Sequence, residues 1–231
     1  LRQRGLHQYL RELYAPLGLY YLGAAPASEP QQQTSFYFKE PVRTLADFKG
    51  RRIAVVGAAM QTFISALGAV PVPMPFTEYF TAMERGVVDG YSIGTPGILD
   101  FGLTPVTGFM LEDHVASCAG EFIVNLDRWN GLPKHLQEVL EQAAIYTEVE
   151  GQKKWDEVVA DVKARISKEG VEIGRLSPED GLRFYQIYRE KMMEEDFKVG
   201  KGNEAVVKKL HEITRNPNFY RLDPSYYQQR K

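Results

Sequence analysis

One pentapeptide in the chain has the pattern of a catalytic motif. Gly90-Tyr91-Ser92-Ile93-Gly94 reads G-x-S-x-G, the pattern of the nucleophile elbow of serine hydrolases. That chemistry requires a strand before the serine and a helix directly after it, so that backbone N–H groups face the oxyanion. Here Thr95-Pro96-Gly97 follows in place of a helix. The sequence therefore favours Ser92 as a hydrogen-bond donor to a bound ligand and keeps a serine hydrolase as the alternative.

Metal and nucleotide chemistry have little support. The four histidines, at positions 7, 114, 135 and 211, do not have the spacing that puts two imidazoles on one helix face. Glu112-Asp113-His114 is the one cluster of carboxylates and histidine, and we expect it to be an exposed segment. The glycines at 86, 90, 94 and 97 do not match a phosphate-binding loop, because no Lys-Ser/Thr follows them. We predict no catalytic residue, no metal site and no cofactor.

The composition excludes or disfavours further classes of protein. The 231 residues include 28 Lys and Arg against 30 Asp and Glu, for a formal net charge of −2. Nucleic-acid binding, which usually requires a basic excess, is therefore disfavoured. A single cysteine, Cys118, excludes an intrachain disulfide and a thiolate metal cluster. There is no run of 18 or more apolar residues.

Short elements alternate along the first half of the chain. The predicted strands are Leu19 to Ala24, Ser35 to Phe38, Arg52 to Val56 and Val70 to Met74, and the predicted helices are Ala58 to Leu67 and Phe76 to Met83. Pro71 and Pro73 cannot donate to a central ladder, which places their strand at an edge or in a crossover. Alternating strands and helices indicate an α/β fold.

The second half is dominated by a long helix. Apolar residues keep helical phase from Pro133 to Gly170, about 37 residues or roughly 55 Å at 1.5 Å per residue. This length exceeds one small core and suggests a helix that runs across two lobes. A short strand from Val171 to Leu176 precedes further helices, to about Phe197 and around Glu204 to Thr214.

The stretch from Leu67 to Gly90, LGAVPVPMPFTEYFTAMERGVVDG, is the most specific in the sequence. It resembles the signature of the DctP-type solute-binding proteins of tripartite ATP-independent periplasmic (TRAP) transporters. The flanking motifs TLADFKG, before the Arg52 strand, and Asn125-x3-Trp129-x2-Leu-Pro133 agree with the same family. The resemblance spans most of residues 34 to 145.

The resemblance implies a two-lobe α/β fold with hinge strands and a lobe-spanning helix, with the N-terminal part of the first lobe missing from this chain. The implied division is the remainder of the first lobe over 1–40, the second lobe over 41–119, a first-lobe strand and the lobe-spanning helix over 120–160, and second-lobe helices with a C-terminal tail over 161–231.

The resemblance also implies a ligand site. The family places an arginine that clamps the ligand carboxylate at the position of Ala54, and Arg52, on the same strand face, is a candidate replacement. Glu121 matches a carboxylate that, in some relatives, helps a cation to bridge ligand and protein, and such a cation is left open here. The candidate ligand-binding residues are Phe76, Tyr91, Ser92, Arg52, Gln61, Thr95 and Glu121.

The function implied is that of a periplasmic, non-enzymatic protein that captures a small organic acid by lobe closure and delivers it to TRAP membrane permease subunits. We expect no nucleic-acid partner and favour a monomer. A sensory ligand-binding lobe of the same fold is a further alternative to the serine hydrolase.

Overall fold

The computed structural model describes residues 2, 5–24, 33–117 and 120–214. These residues form two compact units. The first unit contains the described residues up to 24 together with 120–157 and 200–214, whereas the second contains 33–117 and 158–199. The chain therefore passes between the units several times within the described residues.

The described helices are short in the first half of the chain and long in the second. In chain order they are α1 (Leu6–Tyr14), α2 (Ala58–Ala66), α3 (Tyr79–Glu84), α4 (Gly97–Asp100), α5 (Leu126–Asn130), α6 (Lys134–Lys168), α7 (Pro178–Val199) and α8 (Glu204–Thr214). Short 3-10 turns cover Ala15–Leu17, Leu45–Phe48, Phe76–Glu78 and Thr104–Val106. No helix in the described ranges combines the length and the apolar character that a bilayer crossing requires.

In the part of the chain that the structure describes, each unit contains one sheet. The strands are β1 (Leu19–Ala24), β2 (Gln33–Phe38), β3 (Arg52–Val55), β4 (Val70–Pro73), β5 (Gly90–Gly94), β6 (Phe109–Ser117), β7 (Glu121–Asn125) and β8 (Glu172–Gly174). In the first unit β1 pairs antiparallel with β7. In the second unit the strand order is β4-β3-β5-β2-β6-β8. There β3 is parallel to β4 and β5, β2 is antiparallel to β5 and β6, and β8 is parallel to β6.

Local sequence signals account for many of these boundaries. β1 has the predicted bounds, and α2 ends before Gly68, whose φ of 79° is the left-handed conformation that glycine adopts at helix ends. β4 lies at the sheet edge, as Pro71 and Pro73 predicted. The long helix is also confirmed, because α6 runs for 35 residues, about 52 Å at 1.5 Å per residue.

The sheet of the second unit is buried on both faces. Side chains alternate across each strand, so Phe36 and Phe38 of β2 face one core and Tyr37, between them, faces the other. The first core is closed by residues of α2 and α7, such as Phe63 and Phe184. The second core is closed by residues of α3, α4 and α6, which are Tyr79, Ala82, Met83, Ile98, Val162 and Ile166. The second unit is therefore a three-layer α/β structure.

The first unit has a small core around Trp129. The Tyr20 ring stacks on Trp129 with a centroid distance of 4.0 Å, and Leu22 and Ala144 pack in the same cluster. Glu141 of α6 accepts hydrogen bonds from the Tyr20 hydroxyl and the Arg11 guanidinium. These contacts connect α1 and α6 to the two-stranded sheet.

The expectation of an exposed segment at Glu112-Asp113-His114 is wrong. All three residues lie in β6, and Asp113 is only 3% exposed. The Asp113 carboxylate accepts a hydrogen bond from the Leu176 N–H at 2.8 Å. A buried carboxylate is tolerated here because a partner that is distant in sequence satisfies it.

The lobe boundaries also differ from those expected. Residues 1–40 were assigned to the first lobe, but β2 is an inner strand of the sheet of the second unit. α8, expected among the second-lobe helices, belongs to the first unit. The pattern of β2 predicts a strand but not its partners, and pairing with β5 and β6 on its two sides decides its place.

Candidate functional site

The parallel strands of the second unit end together at one edge of the sheet, here called the carboxyl edge. The connections that leave β3, β4 and β5 all begin at this edge because the three strands run in the same direction. β2 starts at the same edge and β6 ends there, since Thr34 pairs with Gly94 and Gln33 with Ser117. Ligands of open α/β sheets bind outside the carboxyl ends of the strands. This edge is therefore the candidate site.

Three of the predicted residues lie at the carboxyl edge, one after each parallel strand. Gln61 is in the first turns of α2, which follows β3. Phe76 begins the 3-10 turn after β4, and Thr95 comes directly after β5. Gln61 and Phe76 are half-buried, whereas Thr95 is buried. The fold thus places three residues that are up to 34 positions apart in sequence after strands that end at the same edge.

An aromatic group surrounds Phe76. Its ring is edge-on to Tyr79, with centroids 5.4 Å apart, and tilted against Phe101 at 5.6 Å. Phe101, which caps the C-terminal end of α4 after β5, is 38% exposed. Sequence reasoning missed Phe101, although an aromatic residue soon after the predicted ligand-binding residues Tyr91, Ser92 and Thr95 was the available signal. Phe76 and Phe101 together give the edge a partly exposed aromatic wall.

A cluster of hydroxyls lies beneath Thr95. The Thr95 and Ser35 hydroxyl oxygens are 3.4 Å apart, and both residues are buried. Within the described residues, the Tyr37 hydroxyl is the buried side-chain polar atom that has no hydrogen bond. Burial raises the pKa of Tyr37, and the nearby hydroxyls of Thr95 and Ser35 oppose that rise. Tyr37 is therefore neutral at physiological pH.

Tyr91 is a core residue of the same sheet face. Its ring stacks on Tyr37 with a centroid distance of 5.0 Å, and its hydroxyl is 2.7 Å from the Thr107 Oγ1. The Thr107 hydroxyl in turn donates to the Leu103 carbonyl. Burial raises the pKa of Tyr91 well above its ordinary value. In this structure the Tyr91 hydroxyl is engaged by Thr107.

Ser92 faces the other side of the sheet, because it pairs directly with Phe36. All five residues of the G-x-S-x-G match lie within β5, and α4 begins only at Gly97. Gly90 is required by packing, since a Cβ there would be 2.4 Å from the Phe38 ring. The match therefore lacks the strand–serine–helix turn of a nucleophile elbow, and the serine hydrolase alternative is not supported.

Arg52 lies at the edge opposite the carboxyl edge, because it is the first residue of β3. Its Nε and Nη2 donate to the two carboxylate oxygens of Asp89 at 3.0 and 2.7 Å. Hydrogen bonding by Arg52 lowers the pKa of Asp89. The fold does not bring Arg52 together with Gln61, Phe76 and Thr95.

Ala54, the position of the family arginine, is fully buried between the aromatic residues of the second core. An arginine at this position would have no room in the core and no water around its charge. The site of this chain therefore differs in its chemistry at the position where the family resemblance implies a carboxylate clamp.

Glu121 lies in the first unit, at the start of β7. It is exposed and accepts a hydrogen bond from the Tyr14 hydroxyl at 2.6 Å. This hydrogen bond raises the pKa of Tyr14 to about 12. Among the described residues there is no group of three or more His, Cys, Asp and Glu that could hold a metal ion.

Comparison with known proteins identifies the family. The family model of bacterial extracellular solute-binding proteins, family 7 (DctP), matches residues 3–196. Because this match covers most of the chain, the chain belongs to that family. It is a family of periplasmic binding proteins and not of enzymes, as the sequence predicted.

Two curated relatives illustrate the similarity. An uncharacterised protein of Haemophilus influenzae is 30% identical over 172 residues, which are 72% of this chain and 51% of the relative. A monocarboxylate 2-oxoacid-binding periplasmic protein of Nostoc sp. is 25% identical over 157 residues, 67% of this chain and 43% of the relative. The chain spans about half the length of these curated relatives.

The fold matches solved structures of the same class. A TRAP periplasmic solute-binding protein of Desulfovibrio salexigens, crystallised with bound orotic acid, has a TM-score of 0.76 at 21% identity. The match covers 92% of this chain and 70% of that chain. The predicted α/β fold of two-lobe periplasmic binding proteins is therefore confirmed.

Proposed function

We propose that this protein captures a small organic acid in the periplasm and delivers it to a TRAP-type permease. The observation that carries the proposal is the placement of Gln61, Phe76 and Thr95 after three strands that end at the carboxyl edge of a solute-binding-protein fold. The Nostoc relative is named for 2-oxoacids, and the D. salexigens structure holds orotic acid. Both compounds are organic acids, which supports the same ligand class here.

Each of these residues has a distinct role in this proposal. Phe76 and Phe101 supply an aromatic wall against which the ligand packs. The Gln61 amide and the Thr95 hydroxyl supply neutral hydrogen bonds that orient it. No nucleophile or general base is needed, because binding and release involve no covalent change.

Three further features stay predictions. Lobe closure on the ligand is expected from the family, and binding energy would then favour the closed state that a permease recognises. A cation that bridges the ligand and Glu121 also stays a prediction, and dependence of binding on added metal would support it. The monomeric state is likewise a prediction, and we propose no nucleic-acid partner.

A thermal-shift screen of purified protein against organic acids tests the proposal. A ligand at about 100 times its Kd stabilises a fold by roughly 2.7 kcal/mol, which corresponds to a rise of about 5–10 °C in Tm for a chain of this size. We expect at least one carboxylic acid to give such a rise. Stabilisation only by compounds without a carboxylate would contradict the proposed ligand class. Loss of acid uptake by membrane vesicles when the protein is omitted tests the delivery step.

A further inference from the structure

The chain is unusually poor in cations over the segment that forms the carboxyl edge. Between residues 53 and 127 there is a single Lys or Arg, Arg85, against eight Asp and Glu, although the whole chain contains 28 Lys and Arg. This segment includes all the connections that leave β3, β4 and β5. Arg85 caps the C-terminal end of α3 and lies just ahead of Asp89, which binds Arg52 at the other edge. The segment therefore brings no cation to the carboxyl edge.

The described cations from later in the chain that come into question are paired with acids. Lys191 of α7, which lines a pocket with Gln61, contacts Glu194 at 2.8 Å. Lys163 of α6 and Arg175, which follows β8, each contact a different carboxylate oxygen of Glu112 at 2.7 Å. Burial by itself would raise the pKa of Glu112, but Lys163 and then Arg175 outweigh it and hold this pKa below its usual value. β8 is also three strands from β5, roughly 14 Å at about 4.8 Å per strand. Lys163 and Arg175 belong to a structural ion-pair network.

The exposed side chains of the edge are apolar or acidic. Val56, directly after β3, is 48% exposed, and Phe101 and Phe76 present ring surface. In the connections after β4 and β5, the exposed charged residues that lie towards the carboxyl edge are Glu78 and Asp100, whereas the exposed Glu84 and Arg85 lie at the far end of α3. A second anionic group of a ligand beside Phe76 or Phe101 would lie near these carboxylates, and the described connections after β3, β4 and β5 place no cation there.

We propose that the ligand presents an uncharged, apolar end to the carboxyl edge, so that the protein selects monocarboxylates with an aliphatic or aromatic remainder over dicarboxylates. This inference rests on the proposed function, because it specifies the acid bound at the same site. Phe76, Phe101 and Val56 contact the apolar remainder.

Matched ligand pairs test this inference by calorimetry on the full gene product. In each pair an isopropyl group, which is close in shape to a carboxylate, replaces one carboxylate of the dicarboxylate. The pairs are 4-methylpentanoate against succinate, 4-methyl-2-oxopentanoate against oxaloacetate, and 4-isopropylbenzoate against terephthalate. We expect at least one monocarboxylate to bind, and at least tenfold more tightly than its partner. Equal or tighter binding of the dicarboxylates overturns this inference and leaves the proposed function intact. If no acid among the six or in the wider thermal-shift panel binds, the proposed function fails as well.

Charge substitutions provide a second, independent readout. Phe101→Arg and Val56→Arg each place a cation at the carboxyl edge, and we expect either to shift the preference towards the dicarboxylate by at least fivefold. Val87→Arg is the matched control, because Val87 is 49% exposed just ahead of β5, at the opposite edge. Two edge variants are used so that a fold defect in one of them does not decide the result. An equal shift in the Val87→Arg control, or no shift in either folded edge variant, overturns the inference.

Discussion

Arg52 binds Asp89 through both its Nε and its Nη2, and its backbone N–H donates to the same carboxylate at 2.8 Å. The Asp89 N–H donates in turn to the Arg52 carbonyl. This double connection joins the start of β3 to the segment that leads into β5. It assigns the arginine a role in aligning the two parallel strands, at the edge away from Gln61, Phe76 and Thr95.

The Arg52 arrangement predicts a clear separation between folding and binding. We expect Arg52→Ala to lower the Tm while leaving the ligand Kd within about twofold of wild type, because the side chain does not lie at the carboxyl edge. Calorimetric titration alongside a thermal melt measures both quantities. A loss of affinity of tenfold or more in the folded variant would show that Arg52 binds the ligand after all.

Phe76 should contribute directly to affinity. Removing an aromatic contact costs about 0.5–1.5 kcal/mol, so we expect Phe76→Ala to weaken binding by roughly two- to twelvefold. Val87→Ala, an exposed apolar residue at the opposite edge, is the matched control and should bind as wild type does. Unchanged affinity in folded Phe76→Ala would remove the aromatic wall from the site.

The stacked pair Tyr37 and Tyr91 offers a comparison within one core. Tyr91→Phe removes the hydrogen bond to Thr107 and should lower the free energy of unfolding by about 0.5–1.5 kcal/mol. Tyr37→Phe removes a buried hydroxyl that has no hydrogen bond, and should leave this free energy unchanged or raise it. Urea unfolding of the two variants measures the difference. Equal destabilisation would mean that the Tyr37 hydroxyl has a stabilising partner.

Asp113 should make stability depend on pH. Burial raises its pKa from 3.8 to about 6, although the Leu176 N–H and then Arg175 favour the charged form, and Glu112 adds to the rise. The folded state therefore holds this proton more tightly than the unfolded chain, and stability falls as the pH rises from about 4 to about 6. The loss amounts to roughly 3 kcal/mol at 1.36 kcal/mol per pKa unit. In Asp113→Asn this component is absent.

Denaturant unfolding at several pH values measures that contribution. The free energy of unfolding of Asp113→Asn relative to wild type should increase by up to about 3 kcal/mol between pH 4 and pH 7. Parallel profiles for the two proteins across this range would show that Asp113 titrates as it does in the unfolded chain.

Parts of the fold could be predicted because their signals are local. Prolines at 71 and 73 exclude a central strand, and the helical phase of α6 depends only on its own apolar residues. The burial of β6 could not be predicted in this way. Glu112 is compensated by Lys163 and Arg175, which are 51 and 63 positions away, and a local pattern does not include them.

The site was predictable to a similar extent. Phe76 is located by the end of the strand before it, which the sequence predicts. The side of the sheet that Ser92 faces depends on its pairing with Phe36. The burial of Ala54 depends on helices that come later in the chain and pack against its strand. The residues whose positions were predicted least well are therefore those whose surroundings depend on strand register and tertiary packing.

Hydrogen–deuterium exchange with and without a bound organic acid tests the central claim, that the ligand binds at the carboxyl edge of the second unit. At saturating ligand we predict slower exchange in peptides covering residues 56–61, 74–79 and 95–101. Peptides covering 49–52 and 86–89, at the opposite edge, should exchange at unchanged rates. Protection confined to the peptides around Arg52 and Asp89, with no change after β3, β4 and β5, would contradict the account.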